Sequence, residues 1–128
     1  KMEKESKIFT IEEKDKKIRA EYADLVKMFD DMDEETKKQG RRLCTEAAFL
    51  RVMLSELKEI IIREGYAERY QNGANQYGYK KSVACDQYDK AVSSYIKIMG
   101  AINRLLPKND DAREGASEIM EFINAGRA

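Results

Sequence analysis

The chain has 128 residues, with 24 lysines and arginines against 24 aspartates and glutamates, and no histidine. That length suits one domain with a core of ordinary size, and the balanced charge excludes a global pull toward nucleic acid or membrane, so any such binding must be local. With no histidine, no GxxxxGKS/T loop, no HExxH and no nucleophile elbow, the usual proton shuttle, phosphate cradle and activated nucleophile are missing, which points away from an enzyme and from any cofactor.

Residues 1–11 are expected to be flexible. A first helix follows over 12–32, where Ile18, Tyr22, Leu25, Phe29 and Met32 recur at steps of four and three and define one apolar stripe. Lys14, Lys16, Lys17 and Arg19 make its start mildly basic. Asp30, Asp31, Asp33, Glu34 and Glu35 then form an acidic cluster that local capping explains better than a metal or partner site. Carboxylates in a first helical turn meet unsatisfied amides, and Asp33 is a good N-cap.

The second helix is expected over 34–64. Its stripe is Leu43, Ala47, Leu50, Leu54, Leu57 and Ile61, flanked by Phe49, Met53 and Ile60; Gly40 weakens its first turns and Gly65 stops it. At about 1.5 Å per residue it is roughly 45 Å long, more than a compact domain of this size needs. It therefore forms a coiled-coil-like hairpin or reaches beyond its own subunit.

Residues 66–81 break the helical pattern. Asn72-Gly73 is the dipeptide that most favours a two-residue type I′ turn, so a β-hairpin is expected. That turn sets Gln71 opposite Ala74, Tyr70 opposite Asn75, Glu68 opposite Tyr77 and Tyr66 opposite Tyr79. Tyr66, Tyr70, Tyr77 and Tyr79 then share one side, with Arg69, Gln71, Gln76 and Lys80 on the other.

A third helix over 83–106 begins after Ser82 as N-cap and ends before Pro107, with Ala84, Tyr88, Ala91, Val92, Tyr95, Met99, Ile102 and Leu106 along its stripe. A short fourth helix is expected over 110–125, with Ala116, Ile119, Met120 and Ile123 on its apolar face. The expected fold is all-α: a long antiparallel helical hairpin with N- and C-terminal helices, and a small β-hairpin inserted between helices two and three. Cys44 and Cys85 read as free thiols, without ligand spacing for a metal. No stretch is apolar enough for a membrane span and no secretory leader is evident, so neither membrane contact nor secretion is expected.

Two surfaces are candidates for binding. Lys14, Lys16, Lys17 and Arg19, with Lys80 and Lys81 beside the tyrosines, could meet phosphates; equally, Glu12, Glu13, Asp15 and Glu21 could pair with the first four. The interleaved tyrosines could stack bases, or pack on helices of the same or a neighbouring subunit. Leu50, Leu54, Leu57, Tyr88 and Tyr95 lie on long stripes suited to contacts between subunits.

The string Tyr70-Gln71-Asn72-Gly73, then Asn75-Gln76, Gly78 and Lys80-Lys81-Ser82, followed by Tyr88, Lys97 and Leu105-Leu106-Pro107, resembles the small terminase subunit of tailed bacteriophages and prophages of Gram-positive bacteria. Family members often carry a proline directly after the serine, where this chain has Val83. The resemblance implies a mostly helical, non-enzymatic DNA-packaging factor in the cytoplasm of the bacterial host. It implies a homo-oligomeric ring, often of roughly eight to twelve subunits, that recognises double-stranded viral DNA and hands it to the large terminase subunit, which carries the ATPase and nuclease. A helical adaptor or structural oligomer with no nucleic-acid role is the alternative, and it accommodates the zero net charge directly.

Overall fold

The computed structural model describes residues 8–71, 73–107 and 119–125. It is mostly helical, with a two-stranded antiparallel sheet between the second and third helices. In chain order the elements are α1 (Ile11–Val26), a 3-10 turn (Lys27–Phe29), α2 (Glu34–Glu64), β1 (Ala67–Gln71), β2 (Tyr77–Lys81), α3 (Val83–Leu105) and a helical segment over 119–125, here α4.

Thr10 starts α1 with a full capping box: its hydroxyl accepts from the Glu13 amide at 3.0 Å, and its own amide donates to the Glu13 carboxylate at 2.9 Å. The Phe9 amide donates to Glu56 Oε2 at 3.2 Å, so residues 8–11, expected to be flexible, are tied to α2. Residues 1–7 lie outside the described residues.

The first helix ends sooner than the 12–32 read from the stripe. The amides of Asp30 and Met32 bond three residues back, to Lys27 and Phe29, which tightens the chain into a 3-10 turn. Asp33 is the reason. To cap α2 it must be extended, at φ −70° and ψ 167°, with its carboxylate accepting from the Thr36 amide at 2.8 Å, so the preceding helix has to finish first. That hydrogen bond also holds the Asp33 carboxyl below its ordinary pKa.

α2 fills the bounds expected for it and stops at Gly65, whose φ of 89° suits glycine. α3 starts on Ser82, whose hydroxyl accepts from the Cys85 amide at 3.1 Å. It ends at Leu105, because Pro107 pushes Leu106 into extended backbone at ψ 151°. The Ser82 amide donates to the Tyr66 carbonyl at 2.8 Å, closing the base of the β-hairpin. That bond sets the end of α2 beside the start of α3, and the two helices pack along their length.

The core is the seam of α1, α2 and α3, with Ile123 of α4 added. Its largest fully buried side chains are Tyr95, Met99, Ile102 and Val92 from α3, and Cys44 from α2. Burial pushes the Tyr95 phenol up to about 12 and the Cys44 thiol up to about 11, so neither ionises near neutral pH. Residues 110–118 of the expected fourth helix lie outside the described residues. Phe122 of α4 lies under Arg51 and Lys58 of α2, at 5.6 and 5.8 Å from its ring centre. Among the described residues no helix is long and apolar enough to cross a membrane.

Gly40 has a use that its low helix propensity hides. It is buried against Phe29, and a Cβ there would fall 2.8 Å from three ring atoms. Phe29 is itself 2% exposed and has nowhere to go. Propensity alone would make Gly40→Ala stabilising by about 1 kcal/mol, whereas overpacking a fixed ring costs about 1–3 kcal/mol. We therefore expect Gly40→Ala to lower the urea midpoint, measured by far-UV circular dichroism; a raised midpoint would show that the ring is free to move.

Candidate nucleic-acid interface

The β-hairpin is a ribbon standing on the joined ends of α2 and α3. Its pairs are Ala67 with Lys81, Glu68 with Lys80, Arg69 with Tyr79, Tyr70 with Gly78 and Gln71 with Tyr77. The connection is therefore five residues, 72–76, and not the two-residue turn expected at Asn72-Gly73. Asn72 lies outside the described residues; Gly73 does take a positive φ, 104°.

Two contacts favour this register. The Gln71 side-chain amide donates to the carbonyls of Gly73 and Ala74 at 2.9 and 3.1 Å, closing the wider loop from within. The Tyr70 ring lies across Gly78, where a Cβ would come within 2.6 Å of the phenol oxygen. An aromatic ring covering a cross-strand glycine is a stable sheet pairing, and the expected register, with Tyr70 opposite Asn75, forgoes it.

The shift is three positions, an odd number, so it redistributes the tyrosines between faces. Tyr77 and Tyr79 now share a face with Arg69 and Gln71, whereas Tyr70 sits on the other with Glu68 and Lys80. The single four-tyrosine side of the sequence reading does not form. The Arg69 guanidinium lies 4.1 Å from the Tyr77 ring centre, so one face displays a stacked cation and ring beside Tyr79.

Tyr70 apart, these rings are left largely to solvent. Tyr66 is 76% exposed, Tyr79 74%, Tyr77 55% and Tyr70 42%. Bonds hold the ribbon at its base: the Glu68 carboxylate accepts from the Val83 amide at 3.1 Å, and Lys81 pairs with Asp89, which raises the lysine's pKa. Lys80, across from Glu68, has no ion pair with a described residue.

The other sequence candidates fall out differently. Lys14 is half-buried and pairs with Glu56 at 3.4 Å, joining α1 to α2; Arg19 pairs with Asp15 at 2.8 Å; and Lys17 sits 4.7 Å from the Phe9 ring centre. Lys16 has no such partner among the described residues. Leu54, Leu57 and Tyr95 are covered by the chain's own helices, with Leu50 and Tyr88 at the edge of the same core, so none of them is left over as a bare seam. Exposed apolar side chains include Ile62 at 76% and Val83 at 54% next to the ribbon's base, and Ile11, Phe49 and Phe122 elsewhere.

One group escaped the sequence reading. Lys37, Lys38, Arg41 and Arg42 make a basic band on the first half of α2, and their i, i+1, i+4, i+5 spacing was the signal available. Among the described residues no three metal-ligating side chains come together. No protein-family model, curated protein or solved structure matches the chain.

Gly73→Val should disorder the ribbon and spare the helices, because a β-branched residue is strained at φ 104° while the ribbon joins the helices at its base. Two-dimensional NMR should show the Tyr77 and Tyr79 amides losing strand shifts while the midpoint of helical melting stays within a few degrees of wild type. An unchanged ribbon spectrum would show that the loop tolerates the substitution.

Proposed function

We propose that this protein is a small-terminase-like DNA-packaging factor: a non-enzymatic homo-oligomer, ring-forming by resemblance, that binds double-stranded viral DNA and presents it to the large terminase subunit in the bacterial host cytoplasm. The observation that carries the reading is where the resembling residues fall. Tyr70, Gln71, Gly73, Asn75, Gln76, Gly78, Lys80 and Lys81 belong to the ribbon and its loop, where Tyr70 and Gln71 hold the register while Tyr77 and Tyr79 stay more than half exposed. Its pattern of tyrosine and arginine therefore needs a reason outside the chain's own core. Tyrosine and arginine are the side chains that recognition surfaces concentrate, toward protein or nucleic acid alike.

Assembly has a physical motive at the same place. Ile62, Tyr66, Tyr79 and Val83, on or next to the ribbon, are each more than half exposed, and apolar surface of that kind is what a second copy would cover. The balanced charge supports a helical adaptor as the competing reading, in which the ribbon docks on another protein and DNA has no part.

Light scattering and a mobility-shift assay on duplex DNA separate the two. The packaging reading expects a mass several times that of one chain at micromolar concentration, and a DNA shift at about 50 mM salt that weakens steeply by about 200 mM. A single-chain mass with no shift at low salt would overturn it.

A further inference from the structure

The basic band on α2 makes no ion pair with a described residue. At about 100° per residue, Lys37, Arg41, Lys38 and Arg42 fill an arc of roughly 140° on one side of the helix. The core side at that level is set by Gly40, Cys44 and Ala47, all buried, and the band faces away from it. Lys38, Arg41 and Arg42 are exposed; Lys37 is half-buried at the rim, where it lines a shallow cleft with Arg41, Phe29 and Asp30.

Some bases elsewhere on the helices find acids, while others, Lys16 among them, find none among the described residues. Lys14 has Glu56, Arg19 has Asp15, Lys27 has Asp24 and Lys90 has Asp86. None of the four bases in the band has an ion pair with any described residue, although Glu34 and Glu46 lie a turn away along the same helix. Lys37 with Arg41 and Lys38 with Arg42 are instead like charges at i, i+4, an arrangement that weakens a helix. Four like charges on one face, three of them exposed, make a surface complementary to an external anion.

We infer that Lys37, Lys38, Arg41 and Arg42 form the surface that grips the phosphate backbone of duplex DNA, an inference that rests on the chain being a DNA-packaging factor. The band covers about 7.5 Å of helix axis, and a DNA strand carries one phosphate about every 3.4 Å, so two or three phosphates lie within reach of one subunit. The arginines supply planar forks that can take two phosphate oxygens each, and the lysines supply point charges. Such a contact positions DNA without reading sequence, and copies held at fixed geometry add to it. The ribbon lies roughly 35 Å further along α2, so one subunit can hold DNA at one end and meet a protein neighbour at the other.

The test uses the full chain in its assembled state and a labelled duplex of arbitrary sequence, in mobility shifts at about 50 and 200 mM salt, with mass checked by light scattering. Lys38→Gln with Arg41→Gln and Arg42→Gln should bind at least about tenfold more weakly at the lower salt, with a flatter salt dependence. Arg41→Lys with Arg42→Lys, which keeps the charge, and Lys16→Gln with Lys17→Gln, which leaves the band intact, should stay within about threefold of wild type. Should the triple variant fail to assemble, Lys38→Gln and Arg42→Gln alone, both at exposed positions, should each weaken binding by roughly two- to fivefold. Wild-type affinity and salt slope in the assembled triple variant, or in both single variants, would overturn this surface and leave the packaging reading standing. No shift by the wild-type protein at the lower salt would overturn both.

Discussion

α2 runs for 31 residues, and the next longest element, α3, has 23, so no neighbour can cover it from end to end. The chain solves this in two pieces. α1 and the 3-10 turn bring Leu25 and Phe29 to the region of Gly40, and α3 lays Val92, Tyr95, Met99 and Ile102 into the same core. Small residues make the close approach possible: Gly40, Cys44, Ala47 and Ala48 are all buried on α2. Each methylene added to that row would push a neighbouring element away, which is why a residue with poor helix propensity sits inside the longest helix.

Two populations of tyrosine follow from this arrangement. Tyr95 is 1% exposed and belongs to the core, whereas Tyr66, Tyr77 and Tyr79 stand in solvent on a ribbon bonded at its base. A large ring on a folded surface forgoes the burial that would repay its hydration, so an exposed group of them on a fixed scaffold adds little to stability. The helical body and the ribbon thus divide the work. The body sets the position of the ribbon and keeps the basic band of α2 pointed outward, and the ribbon presents rings and the Arg69 guanidinium to whatever approaches that end.

What was legible in the sequence was local. Asp33, Ser82, Gly65 and Pro107 mark helix ends through bonds to atoms a few residues away, and α2 and α3 begin and end at or within a residue of where those signals put them. The apolar stripes pointed to Leu54, Leu57, Tyr95 and Ile102, which are buried. The rest depended on partners distant in the chain or on competition between local signals. The ribbon register turns on Tyr70 meeting Gly78 and on the Gln71 side chain entering its own loop, and a two-residue turn signal carries neither. Lys14 looked available for phosphate because Glu56, its partner, is 42 positions away. Gly40 looked like a weakness because the ring it accommodates lies in the turn before α2.

The division between body and ribbon is the central claim, and one melting curve tests it directly. Residues 67–81 would be replaced by a short glycine-rich turn, which the hairpin base permits because the Tyr66 carbonyl and Ser82 amide are 2.8 Å apart. Thermal unfolding followed at a helical wavelength should remain cooperative, with a midpoint within about 5 °C of wild type, since removing exposed rings deletes little of the core. A non-cooperative melt, or a midpoint lowered by about 15 °C or more, would contradict the account by showing that the helical body depends on the ribbon.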